Sequence, residues 1–124
     1  MANDTDRPLA PYRVVDLADS KGELCGRLLA DLGADVIRVE PPDGAPSRAL
    51  EPRHDGVSLW FAYRNAGKRS VELDLDRDEG RARLDELLAT ADVVIDSGAP
   101  GSHHPDLAPD ALAARHPHLV VLAM

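Results

Sequence analysis

The chain has 124 residues (13.3 kDa) and a formal net charge of −8, with 44% hydrophobic and 3% aromatic residues. That length holds one domain at most, and the apolar content is that of a globular core rather than of a disordered or membrane chain. The charge argues against a general phosphate-backbone binder, and the few rings (Tyr12, Trp60, Phe61 and Tyr63) argue against a base-stacking platform for single strands.

The chain opens on MANDTDRPLA, polar and acidic without an apolar leader core, so a cytoplasmic location is expected. No apolar run approaches the roughly 18 residues of a membrane span. Arg13–Leu17 (RVVDL) reads as the first strand. Glu23–Leu32 follows as a helix, with Leu24, Cys25, Leu28, Leu29 and Leu32 predicting one apolar face and Gly33 placed to end it. Cys25, the single cysteine, reads as a small buried hydrophobe among these leucines. Asp35–Glu40 (DVIRVE) is the second strand. Pro41, Pro42, Gly44 and Pro46 enforce a loop, and Ser58–Asn65 predicts a short helix capped by Ser58. Ser70–Leu75 alternates as a strand, and Asp78–Thr90 is a helix with Leu84, Leu87 and Leu88 on one face and an acidic first turn. Val93–Asp96 is a strand and Ser97–Pro109 a loop. A helix at about Asp110–Arg115 then leads to a last, buried strand, Leu119–Ala123.

Strands alternating with helices predict an α/β fold, a Rossmann-like parallel sheet with flanking helices. Ligands of such sheets bind beyond the C-terminal ends of the strands, here at Asp16, Glu40, Asp76 and Asp96 and the loops after them. Stopping at Met124 directly after a strand, the chain reads as cut short. Glu40 sits where an acid would hold a dinucleotide ribose. The first loop (ADSKGELCG) has no G-x-G-x-x-G, however, and Asp19 and Glu23 would repel a pyrophosphate. Ser58–Ser70 is an island with Arg64, Lys68 and Arg69 and no acid, and Arg48 adds a cation in the preceding loop. Such cations suit a phosphorylated ligand; a solvated turn pairing with Glu72 and Asp74 is the alternative. His103-His104 and His116-Pro117-His118 lack a cysteine or carboxylate at ligand spacing, so no metal site is expected. No G-x-S-x-G nucleophile elbow occurs.

From Pro8 to Met124 the chain resembles, in order, the class III CoA-transferases, the CaiB/BaiF family. The resemblance is carried by PLAPYRVVDL (residues 8–17), LLADLGADVIRVEPP (28–42), NAGKRSVELDL (65–75) and ADVVI (91–95). It implies a large Rossmann-like domain that binds CoA, of which residues 1–124 are an incomplete N-terminal portion, and an interlocked homodimer for the whole enzyme. It also implies transfer of CoA between carboxylic acids. An aspartate attacks the acyl-CoA thioester, giving an anhydride and then an aspartyl-CoA thioester. CoA and acyl-CoA are then substrates, and no permanently bound cofactor, metal, membrane or nucleic acid is implied.

The family's nucleophilic aspartate aligns with none of Asp16, Asp35, Asp92 or Asp96. No catalytic residue is expected in this chain, and the chain alone is expected to be inactive. Alternatives on the same resemblance are an acyl-CoA racemase of the same fold, or a non-catalytic CoA-binding remnant or tandem half. The resemblance places CoA beside Leu73, Ser97 and Gly98, the last two standing where the family often has Asn-Phe. Lys68, Arg69 and Arg48 are the cations expected to meet its phosphates. A cation often found after the second strand's glutamate is Pro41 here.

Overall fold

The β-branched runs form strands because alternate side chains can be buried on opposite faces of one sheet. A computed structural model of the chain describes residues 6–98 and 104–124. Its main sheet is parallel and contains β1 (Arg13–Asp16), β2 (Asp35–Glu40), β5 (Arg69–Glu72), β6 (Val93–Asp96) and β7 (Val120–Ala123), in the order β5-β2-β1-β6-β7. Between β2 and β5, β3 (Arg53–His54) and β4 (Val57–Ser58) form a small antiparallel hairpin. The helices are α1 (Glu23–Asp31), α2 (Leu59–Arg64), α3 (Asp78–Ala89) and α4 (Pro109–Arg115). From β1 the chain builds outward through β2 to β5, then crosses back to β6 on the other side of β1. That reversal makes the β1–β6 border the switch point of a doubly wound sheet.

The period of two sorts the core. Val15, Val39 and Val94 face one layer with Leu84 and Leu88 of α3 and Leu112 of α4. Val14, Val36 and Ile95 face the other, with Ala30 of α1 and Ala34. The expected strands and helices are all present, most ends shifted by a residue or two; β5 stops at Glu72, three residues short of the expected Leu75. Ser58 caps α2 as predicted, its hydroxyl accepting from the Phe61 amide at 3.2 Å.

Three readings are corrected. The buried residues of α1 are Glu23, Gly26 and Ala30, whereas Leu28 and Leu32 are 54% and 48% exposed. Leucine spacing misplaced the face because this helix turns a glycine and a carboxylate inward. Strand β7 is an edge, with Val120 61% exposed, rather than a buried strand. The hairpin was not anticipated, although Asp55 and Gly56 at its tip both adopt positive φ, the backbone that an Asp-Gly turn supplies.

Close approach of backbone to helix sets the turn from β5 into α3. A Cβ on Gly80 would lie 1.8 Å from the Asp74 carbonyl oxygen, which also accepts from the Arg77 amide at 3.2 Å. Gly80→Ala therefore has to displace this turn, and the loss should be about 2–3 kcal/mol, read as a lower urea midpoint at unchanged slope. An unchanged midpoint would mean that the turn yields freely.

Candidate functional site

Beyond the C-terminal ends of β1, β2, β5 and β6 lies a hollow of about 900 Å³. Its walls are the loop after β1 (Leu17 to Ser20), the turn after β2 (Pro41 to Ser47), the segment Leu73–Asp76, and Asp96 and Gly98 after β6. Both the switch point and the strand ends place a ligand site here. The described lining carries five aspartates, Asp19, Asp43, Asp74, Asp76 and Asp96, and Arg38 as its cation.

Beneath the hollow lies a buried group of charges. Asp16 closes β1 with no exposed surface, and its Oδ2 takes the Lys68 Nζ at 2.6 Å. The Lys68 ammonium spends its other protons on the Glu23 carbonyl at 2.7 Å and the Asn65 side-chain oxygen at 2.8 Å. Burial pulls this ammonium below the ordinary lysine range, against the opposing attraction of Asp16. Lys68 reaches Asp16 across α1, at Gly26: a Cβ there would lie 2.6 Å from Asp16 Oδ2 and 3.0 Å from Lys68 Cε. The Glu23 carboxylate, also fully buried, accepts from the Ser47 hydroxyl at 2.9 Å and from the Asn65 amide. Arg38 completes the group, 3.7 Å from Asp16 Oδ1 and 3.9 Å from Glu23 Oε2, and donates to the Ala18 carbonyl at 2.7 Å. Four opposed charges, each with additional hydrogen bonds, can stay buried together where one alone could not.

The start of α1, where a dinucleotide's pyrophosphate would rest, is filled by the protein itself. A Cβ on Gly22 would meet Met124 Cε and Ser97 Oγ at 2.8 Å. Ser97 is buried. Its hydroxyl accepts from the Asp19 amide at 2.8 Å and donates to the Asp19 carboxylate at 2.7 Å, tying the β6 end to the loop after β1. Burial raises the Asp19 carboxyl, but Ser97, the Lys21 amide and the Lys21 charge outweigh it and hold the group below the usual carboxylate range.

The residues expected from sequence therefore separate. Leu73 and Gly98 line the hollow, and Ser97 stands behind it as a clamp. Lys68 reaches the end of β1, at Asp16, but as a buried group rather than one facing the hollow: its side chain is 1% exposed and all its protons are taken inside the fold. Arg69 is at the start of β5, three residues and roughly 10 Å from the strand's C-terminal end. There it forks onto Asp35 at 2.9 and 2.7 Å, with Arg13 on the same carboxylate at 3.0 Å. Burial raises that carboxyl, and the two arginines more than offset it, leaving Asp35 below its ordinary value. The expected pairing of the island with Glu72 and Asp74 is not the one formed; the acids are Asp16 and Asp35. Arg48 forks onto Glu40 at 2.6 and 2.8 Å and lies over the Phe61 ring at 4.0 Å. Ser47, Asp43 and Arg38 were not picked out from sequence. Only Arg38 carried a signal, as the lone cation inside a β-branched run. His103 lies outside the described residues, and among those described no group of three or more histidine, cysteine or acidic side chains could hold a metal ion. No described helix is long and apolar enough to cross a membrane.

Residues 9–124 match CoA-transferase family III. A protein of Mycobacterium tuberculosis named a probable CoA-transferase is 46% identical over 116 residues, which cover 90% of this chain and 15% of that protein. A probable fatty acyl-CoA transferase of the same organism is 37% identical, over 92% of this chain and 30% of its own length. Among solved structures, a CaiB/BaiF family protein from Brucella suis superposes with a TM-score of 0.84 at 37% identity, covering 94% of this chain and 33% of that one. The chain thus spans well under half the length of these relatives.

The Glu40–Arg48 fork gives a pH-dependent contribution to stability. Arg48 holds the Glu40 carboxyl down at about 2 from 4.5, against burial and with help from the Ser70 hydroxyl and the Ala45 amide. A carboxyl depressed on folding stabilises above its unfolded value and loses that contribution as pH falls through the folded one. Arg48→Gln should cost about 1–2 kcal/mol near neutrality, the half-exposed guanidinium reducing the full effect. The difference from the parent should shrink as pH falls from 4.5 towards about 2. A difference independent of pH in urea titrations would show that Arg48 acts through its contact with Phe61 instead.

Proposed function

The chain belongs to CoA-transferase family III, and on that premise we propose that it is the N-terminal, CoA-binding portion of an enzyme that moves CoA between an acyl-CoA and a carboxylic acid. The observation that carries the reading is the hollow at the switch point, bounded by Leu73–Asp76 and Gly98. In this reading main-chain groups around Leu73 and Gly98 meet the adenosine end of CoA, and Ser97 holds the β6 end in place. The thioester end leaves the hollow towards a nucleophilic aspartate supplied outside these residues. Asp16 is unsuited to that role, because it is fully buried against Lys68. CoA is substrate rather than resident cofactor, the assembly is the interlocked homodimer, and the enzyme works in the cytoplasm.

A second reading, one half of a tandem enzyme, is favoured by one observation. The chain covers 15% of the first M. tuberculosis relative but 30% of the second. In either reading the 124 residues bind and do not transfer.

Amide hydrogen exchange with and without CoA tests the placement. Slower exchange should appear in Leu17–Ser20, Asp43–Ser47 and Leu73–Asp76 and at Gly98, with α4 unchanged. Protection absent from these segments, or confined to others, would contradict the proposed site.

A further inference from the structure

The cations around the hollow are committed to acids, with one exception. Lys68 and Arg38 belong to the buried group beneath it, and Arg48 is forked onto Glu40. Lys21 and Asp19, 3.9 Å apart, and Arg77 and Asp74, 3.3 Å apart, offset each other in pairs. Arg64, the last residue of α2, has no carboxylate within 4.0 Å among the described residues. Its guanidinium is nevertheless held in place. Nη1 donates to the Ser20 carbonyl at 2.9 Å, and the group lies 4.0 Å from the centre of the Trp60 ring, one turn back on the helix. Ser20 lines the hollow, in the loop after β1. The other N–H groups of this half-buried arginine take no partner among the described residues. Stacked on a ring and tied to one carbonyl, the side chain has already lost much of the freedom that binding an anion would cost it.

We propose that Arg64 is the cation that receives the diphosphate of CoA, at the Ser20 edge of the hollow. This rests on the CoA site proposed above and adds to it the residue that meets the ligand's charge. With the adenosine end at Leu73 and Gly98, the diphosphate comes next along the ligand. The loop after β1, beside the switch point, is the wall of the hollow that has an uncommitted cation against it. The N–H groups of a guanidinium fork onto phosphate oxygens, and a hydrogen bond between charged partners is roughly twice as strong as a neutral one. A chain with a net charge of −8 opposes an anion at long range. Salt shortens that range, so the contact itself has to come from a cation no acid has claimed. The three cations expected from sequence to meet phosphate, Lys68, Arg69 and Arg48, are held by Asp16, Asp35 and Glu40. Arg64, from the same basic stretch, is the one left to do so. It binds and orients, and no bond is made or broken at it.

The test is calorimetric titration of the 124-residue chain with CoA and with adenosine 3′-phosphate, which lacks the diphosphate. Arg64→Gln should weaken CoA about tenfold while leaving adenosine 3′-phosphate within about twofold, and the loss should shrink as salt is raised. Arg64→Lys keeps the charge without the fork and should bind CoA within about threefold of the parent. Trp60, under the guanidinium, is the single tryptophan and gives a readout that needs no variant. Its emission should change when CoA binds and stay unchanged when adenosine 3′-phosphate binds. Equal losses for both ligands would make Arg64 a support for the Ser20 loop only. That result, an unchanged affinity for CoA, or a Trp60 emission indifferent to bound CoA overturns the inference and leaves the CoA site standing. If the folded parent binds neither ligand, the CoA site falls and the inference with it.

Discussion

A lysine ammonium 2.6 Å from an aspartate carboxylate, with side-chain exposures of 1% and 0%, is the contact on which the rest of this structure depends. Lys68 starts beyond α2 and ends under β1, so the pair joins the sheet, α1 and the segment before β5 at a single point. It needs a helix with no side chain at one position, and Gly26 supplies that gap. Glycine inside a helix is unfavourable by about 1 kcal/mol; the burial of a paired charge is what makes it worth keeping here. Asn65 serves the same point three ways: it ends α2, accepts from Lys68, and donates to Glu23. The N-A-G-K stretch is therefore a structural fitting before it is anything else.

That fitting decides what the hollow above it can do. By using Lys68, Arg38, Asp16 and Glu23 on one another, the fold closes the base of the site with an internally neutral group. Two of its polar atoms, Glu23 Oε1 and Arg38 Nε, find no partner, so the group is held together at some expense in unsatisfied hydrogen bonds. What lines the hollow is then largely proline, leucine and aspartate, with Arg38 as the described cation and already turned to the buried group.

Much of the architecture was legible because it rests on local pattern. R-V-V-D, D-V-I-R-V-E and V-V-I-D alternate with helical stretches, and alternation of that kind leaves few topologies. The family likeness was legible for the same reason, being carried by those strands and their flanks. Depth was not legible. A count of charges along Ser58–Ser70 cannot tell a lysine that plugs a helix gap from one at a rim, and so it points Lys68 and Arg69 at a phosphate. Leucine spacing puts Leu28 and Leu32 in the core, while the residues that α1 turns inward are Ala30 and the glycine and glutamate that serve Lys68. The Asp55-Gly56 turn could have been read, but two-residue strands carry too little pattern to draw attention to it.

The central claim is that Lys68 and Asp16 form one buried unit, and a double-mutant cycle on that pair tests it most directly. Lys68→Met and Asp16→Asn, alone and together, would be compared by urea unfolding. The account expects each single change to cost about 3–5 kcal/mol, because it strands the opposite charge in the interior. The double variant should cost clearly less than their sum, with a coupling of about 2 kcal/mol or more. Additivity within about 0.5 kcal/mol would contradict it, and would mean that Lys68 and Asp16 act independently.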